Sequence, residues 1–186
     1  MSAQRADRER NVEIRTKNKE YNVRSRRSFV ERSFESEIID LVVANLTFPV
    51  SSNDLRITAR VAPSEKKARH RFAVPIDVLI PFSSMAFAPD GDELAADLSL
   101  YIAAIDAKGG MSDVMRLQHR VKKSRDKLGA LSGKHYTYGV DVDLKTPSGD
   151  NRIAVAVLDG VSKTIGYATV DLKASSSAPV RTPAPH

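Results

Sequence analysis

The chain contains no cysteine and no tryptophan. The first absence excludes disulfides, thiolate metal sites and cysteine nucleophiles together. The second leaves only six Phe and five Tyr as aromatics, so any core must be mainly aliphatic. It also removes the indole platform on which a sugar-binding sandwich would stack its ligand. No apolar run approaches the roughly 18 residues that a membrane helix needs, and no membrane insertion is expected. The opening MSAQRADRER is polar and charged with no apolar stretch behind it, unlike a secretory signal. A G-x-S-x-G nucleophile elbow is missing as well.

What is present is enough for one ordinary domain, or one domain plus a substantial appendage: 186 residues, 41% hydrophobic. Basic residues outnumber acidic ones 29 to 23, a net charge of +6, which raises nucleic acid or an anionic surface as a partner. The charge is concentrated in RLQHRVKKSRDKLGALSGK, residues 116–134. There Arg116, Arg120, Lys122, Lys123, Arg125, Lys127 and Lys134 face Asp126 alone. Such a run attracts phosphates in a salt-dependent manner. It lacks the aromatic side chains that stack bases, and a solvated loop with a lysine-protected edge strand is the favoured reading of it.

The period of the pattern changes along the chain. NVEIRTKNKEYNVRSRRSF reads as two short strands about an Asn-Lys turn, Val12 and Ile14 alternating with Glu13 and Arg15, Tyr21 and Val23 with Asn22 and Arg24. In SFESEIIDLVVANLTFP, Phe34, Ile38, Leu41, Val42 and Asn45 recur at helical spacing, with Ile39 and Leu46 widening the stripe. Ser33 suits the N-cap, Glu35 and Glu37 suit the positive end, and Pro49 stops the helix. From Asp54 the period becomes two. One face collects Leu55, Ile57, Ala59 and Val61, the next Phe72, Val74, Ile76, Val78 and Ile80, then Leu98, Leu100, Ile102 and Ala104. Met115, Leu117, His119 and Val121 follow, then Tyr136, Tyr138, Val140, Val142 and Leu144. The last two strands, in RIAVAVLDGVSKTIGYATVDL, fold about an Asp-Gly turn. Pro75 lies on the opposite register of its strand and predicts an edge position or a bulge there.

Seven half-polar strands with no helix between them long enough for parallel crossovers predict an all-β, immunoglobulin-like antiparallel sandwich. The expected organisation is a basic β-ribbon at 1–30, a helical connector at 31–50, the sandwich at 51–174 and a disordered Pro/Ser-rich tail at 175–186.

The run IDAKGG after an apolar strand, followed by YTYGVDVDLKTPSGDNRIAVAVLDGVSKTIGYATVDL, resembles the C-terminal region of bacterial von Willebrand factor A-related proteins. In that family a sandwich follows the A domain. Its closing motif is a Pro-Gly turn, a strand ending in Asp, a short loop and a Gly before the last strand. The matching positions are Pro147 and Gly149, Val157 to Asp159, and Gly166. YNVRSRR resembles the basic last strand of the A domain, and FESEIIDLVVANL sits where the family has its connecting segment. The likeness covers residues 12 to 173. It departs at RRSFVE, which lacks the family's Gly, and the Asp-x-Ser-x-Ser metal motif of the A domain is absent. The resemblance implies a fragment or stand-alone version of the accessory sandwich, in the cell envelope or secreted, without assigned chemistry.

The expected function is a non-enzymatic protein-interaction or scaffold module without cofactor or metal. Its partner is a protein or a second copy, engaged through Tyr21, Val23, Arg24 and Arg26 of the ribbon. The alternative is an electropositive binding module for nucleic acid or an anionic surface through Arg116, Arg120, Lys122, Lys123, Arg125 and Lys127. His70, His119, His135 and His186 have no spacing suited to one metal. His119, on the inward register, reads as a satisfied or edge histidine. Asp90, Asp92 and Glu93 in APDGDEL read as a solvated turn, with a Ca²⁺ loop the competing possibility.

Overall fold

Alternating apolar residues bury one side of a strand, so period-two patterning needs a second sheet to cover it. The computed structural model, which describes residues 8–11, 13, 17, 28–48, 52–61, 72–144 and 150–172, supplies that sheet. The chain forms two compact units, Met1–Leu41 and Val42–His186.

In the first unit, β1 (Arg8–Asn11) pairs antiparallel with β2 (Ser28–Glu31), Arg8 opposite Glu31. The expected ribbon is therefore laddered further out than its predicted strands. Tyr21, Val23, Arg24 and Arg26 lie outside the described residues. Helix α1 (Phe34–Thr47) begins as predicted. The Ser33 hydroxyl accepts the Ser36 N–H at 3.1 Å, satisfying a donor that the helix itself leaves unpaired. Arg32 pairs with Asp40 in the second turn of the helix. The buried stripe is narrower than the pattern suggested: Ile38, Val42, Asn45 and Leu46 are buried, whereas Phe34 and Leu41 are 48% and 41% exposed.

The second unit is an antiparallel β-sandwich. One sheet contains β5 (Ala88–Asp90), β6 (Glu93–Ile105), β7 (Met115–Ser124), β9 (Asn151–Asp159) and β10 (Ile165–Leu172). The other runs β3 (Thr58–Val61), β4 (Phe72–Pro81), β8 (His135–Leu144). Seven of these strands were expected, and the eighth is the three-residue β5. It pairs with Glu93–Ala95 of β6, just before the stretch that β9 takes from Leu98 onward, so it prolongs the line of β9 along that edge. The inward rows are aliphatic. Met115, Ile102, Val155 and Ala168 form one row, and Ala59, Val78 and Tyr138 form one on the facing sheet. Ile76, Val78, Ile80, Leu100, Ile153, Val155 and Val157 are fully buried, each contributing roughly 1.5–3 kcal/mol.

Pro75 behaves as its missing N–H requires. Strand β4 is central where β3 pairs with it, but that pairing ends at Val61 opposite Ile76. Among the described residues Pro75 has only β8 beside it, opposite Asp141.

The outward face of the larger sheet is also covered in its middle. Tyr101, Ala156 and Tyr167 form one outward row, and Ala103, Ala154 and Thr169 the next. All but Thr169 are buried. The alanine methyls leave room for a further layer, and the last turn of α1 lies on this side. There Arg152, in the following outward row, donates to the Leu46 carbonyl at 3.3 Å. Val42 and Leu46 are buried in the same unit. This covering explains why β9 reads as a continuous apolar run instead of alternating.

Candidate functional site

Among the described residues, the sandwich has one side closed by the chain and one side left as strand edges. On the closed side the loop before β3 bridges the two sheets. Asn53 accepts the Ile57 N–H at 3.0 Å and donates to the Ile57 carbonyl at 2.9 Å, while the Asp54 N–H reaches the Ile165 carbonyl at 3.1 Å. Arg56 takes a left-handed conformation (φ 52°) to make that turn, which is why β3 starts later than the apolar alternation suggested. Gly166 lies against this loop. A Cβ there would meet Asn53 Oδ1 at 2.8 Å, Leu55 Cβ at 2.9 Å and Ile57 Cγ2 at 3.1 Å.

The predicted terminal hairpin is present, with Ile165 opposite Leu158. Its connection is the five-residue loop Gly160–Thr164 and not a two-residue Asp-Gly turn. Asp159, fully buried, holds it. One carboxylate oxygen accepts the Ala86 N–H at 2.6 Å, and the other accepts the N–H groups of Val161 at 2.8 Å and Ser162 at 3.1 Å. A buried charge is tolerated when three donors replace its water shell. The carboxylate thereby joins the hairpin loop to the segment before β5, with three backbone donors on its two oxygens.

The open side is formed by β7 and β8, the outer strands of their sheets. The predicted basic residues are split between two surfaces. Arg116, Arg120 and Lys122 share the outward face of β7, Lys123 points the other way, and Arg125 and Lys127 lie on the short helix α2 (Arg125–Leu128). All four on β7 are engaged by ion pairs or rings that sequence proximity did not reveal. Lys122 pairs with Asp90 at 2.8 Å, and Arg120 reaches Asp97 at 3.4 Å and Asp90 at 3.6 Å. The Lys123 ammonium sits over the Phe82 ring at 5.9 Å. Arg116 likewise lies 5.9 Å from the Tyr101 ring centroid. The hydrogen bond from Lys122, then the charges of Arg120 and Lys122, hold the Asp90 carboxyl below the usual carboxylate range. Asp90 of the APDGDEL loop is thus an anchor for β7. Arg125, Lys127 and Lys134 are exposed and have no ion pair among the described residues.

His119 is packed into the seam between the two edge strands. It stacks on Tyr136 (5.5 Å between centroids, 19° between planes), lies 5.1 Å from Tyr138, and hydrogen-bonds the Tyr136 hydroxyl at 2.5 Å. Phe82 meets Tyr136 edge-on at 6.2 Å and lies nearly parallel to Phe87, 18° between planes, at 6.4 Å. Burial, and after it Tyr138, raise the Tyr136 hydroxyl above its ordinary range. The histidine is satisfied, as its register implied; the rings that satisfy it come from another sheet and were not legible from spacing.

Two cavities lie at the opposite end of the larger sheet. One, of about 340 Å³, is lined by Leu46, Ile105, Asp150, Asn151, Arg152, Asp171 and Leu172. Its main cation is already committed: Arg152 holds Asp171 at 2.6 Å and 3.4 Å in a two-pronged pair that raises the guanidinium further above its ordinary range. The other, about 120 Å³, lies under the Asp106–Ser112 turn. There the Asp106 carboxylate accepts the N–H groups of Lys108 and Gly110 at 2.9 and 2.8 Å. No cluster of three or more His, Asp or Glu able to hold a metal occurs among the described residues.

No protein-family model and no curated protein matches this chain. Among solved structures, the X-ray structure of Northeast Structural Genomics Consortium target SoR45 is similar over 74% of this chain and 99% of that one, at 14% identity and a TM-score of 0.42. That likeness assigns neither an activity nor a ligand.

Proposed function

We propose that this chain is a non-catalytic protein-interaction module, an accessory sandwich of the kind found in von Willebrand factor A-related proteins of the cell envelope. The observation that carries the reading is the open side, where two ten-residue strands, β7 and β8, end their sheets next to each other. An unpaired strand edge offers a row of backbone donors and acceptors to another chain. The polar groups that a catalytic reading would need are occupied elsewhere: Asp159 by backbone N–H groups, His119 by Tyr136, Asp90 by Lys122. Photo-crosslinking residues introduced at Thr137 and at Gln118, on the two edge strands, test the reading. Specific adducts from either site are expected, with none from Thr58 on the far strand. Equal labelling from all three sites would count against it.

A second reading rests on Arg125, Lys127 and Lys134, which are exposed and without ion pairs among the described residues. In that reading they bind phosphates of nucleic acid or an anionic surface, and affinity falls steeply with salt. Fluorescence anisotropy of a mixed-sequence duplex, repeated with all three changed to Ala, separates the two. Tight binding at physiological salt that the triple variant loses would favour the second.

A further inference from the structure

The two edge strands are not equivalent. β7 is protected: Arg120 and Lys122 on its outward face are paired to Asp90 and Asp97, and Lys123 brings a charge onto its core-facing register. Charges so placed repel an added strand. β8 has no charge on its core-facing register, and its outward charges are Asp141 and Asp143. There is no Lys, Arg or Pro from His135 to Leu144, and its ladder with β4 is unbroken over ten pairs, so no bulge twists it away.

The register of β8 says which backbone groups it offers. The Phe82 N–H donates to the Lys134 carbonyl at 3.0 Å, in continuation of the β4–β8 ladder. Hydrogen-bonded pairs alternate along an antiparallel ladder. The even-numbered residues of β8 therefore bond to β4, and the odd-numbered ones turn N–H and C=O to the outer edge. The side chains of those odd positions, among them His135, Thr137, Gly139 and Asp143, are all exposed.

We infer that the β8 edge accepts β8 of a second copy of this chain, antiparallel, about a two-fold axis at Gly139. This deepens the interaction-module reading and rests on it. In that register Asp143 faces His135 of the second copy, Asp141 faces its Thr137, and the two Gly139 residues meet on the axis. No like charges oppose one another, and the pairing uses the strand from His135 to Asp143. An axis two residues along, at Asp141, would instead set two carboxylates against each other. A two-fold contact of this type is closed, joining β3-β4-β8 to its copy as one six-stranded sheet.

Sedimentation equilibrium of the full chain, from low to high micromolar, tests it. The expected result is a monomer–dimer equilibrium. Gly139→Lys sets two ammonium groups together on the axis and is expected to weaken the dimer at least tenfold. The variant folds, because a Cβ at 139 meets only Asp77 Oδ1, at 3.9 Å; its far-UV spectrum and melt verify that. His135→Asp opposes two acids and weakens the dimer, and His135→Asp combined with Asp143→His restores it. A dimer indifferent to Gly139→Lys, or a chain monomeric throughout, overturns the inference. A monomer that still gives specific adducts from Thr137 sinks the second copy while the interaction-module reading stands; loss of both sinks the two together.

Discussion

Gly166→Ala is the substitution that most directly tests how the sandwich is closed. The added methyl would lie 2.8 Å from Asn53 Oδ1, 2.9 Å from Leu55 Cβ and 3.1 Å from Ile57 Cγ2. None of the three can move freely. Asn53 is held at both ends of its amide by Ile57, and Leu55 and Ile57 are fully buried. Forcing a methyl into such a site costs about 1–3 kcal/mol through displaced side chains. If the Asn53 bridge breaks, each lost hydrogen bond adds about 1 kcal/mol. At this chain length each kcal/mol lowers Tm by roughly 2–4 °C, so the variant should melt roughly 5–10 °C below the parent.

The assay is a thermal melt followed by circular dichroism, with a urea titration in parallel. The urea midpoint is expected to fall at an unchanged slope, because the surface exposed on unfolding is the same. Gly139→Ala is the matched control. It sits in a strand where a Cβ would make only an ordinary contact, with Asp77 Oδ1 at 3.9 Å, and replacing Gly there is neutral or stabilising by about 0.5–1 kcal/mol. If Gly166→Ala melts within about 1 °C of the parent while Gly139→Ala behaves as stated, the close approach of loop and strand does not hold the two sheets together.

Asp159→Ala removes the acceptor of three backbone N–H groups; a loss of about 3 kcal/mol or more is expected in the same urea assay, and Asp159→Asn, which keeps one acceptor oxygen, should lose less. Tyr167 has a buried hydroxyl with no hydrogen-bond partner among the described residues, so Tyr167→Phe should stabilise the protein by about 1 kcal/mol. Burial also raises the Tyr167 hydroxyl above its ordinary value near 10. Above that pH the unfolded chain ionises first, and stability is lost as pH rises toward the folded value. Tyr167→Phe should flatten this alkaline limb, and a limb of unchanged steepness would contradict the assigned burial.

The fold was legible because its main signal is local. Alternation at Leu98, Leu100 and Ile102, or at Tyr136, Tyr138 and Val140, is imposed by the pleat whatever the neighbouring strand is. β5 was missed because three residues carry no period. The exposure of Phe34 and Leu41 was missed because a helical stripe states which residues share a face, not how much of it is covered. The pairing of Lys122 with Asp90 and the stacking of His119 on Tyr136 join strands distant in sequence, so composition alone made a basic run look freer than it is. The terminal Asp-Gly pair predicted a tight turn. It opens a wider loop because the Asp159 side chain reaches across to Ala86 and gathers the following N–H groups.

The positions that carried the family likeness can now be weighed by what they do. Asp159 and Gly166 are both fixed by packing: one replaces water around three backbone donors, the other admits a loop where no side chain fits. Residues of that kind are retained by any sequence that keeps this closure, whatever its partner. They therefore speak for architecture and are silent on recognition. Recognition has to be sought where the architecture leaves choice, among residues whose substitution the core does not feel. The outer positions of β8 meet that condition. Gly139 has room around it, and Thr137 and Asp143 are exposed, yet the order of residues along the strand decides which registers would set carboxylate against carboxylate.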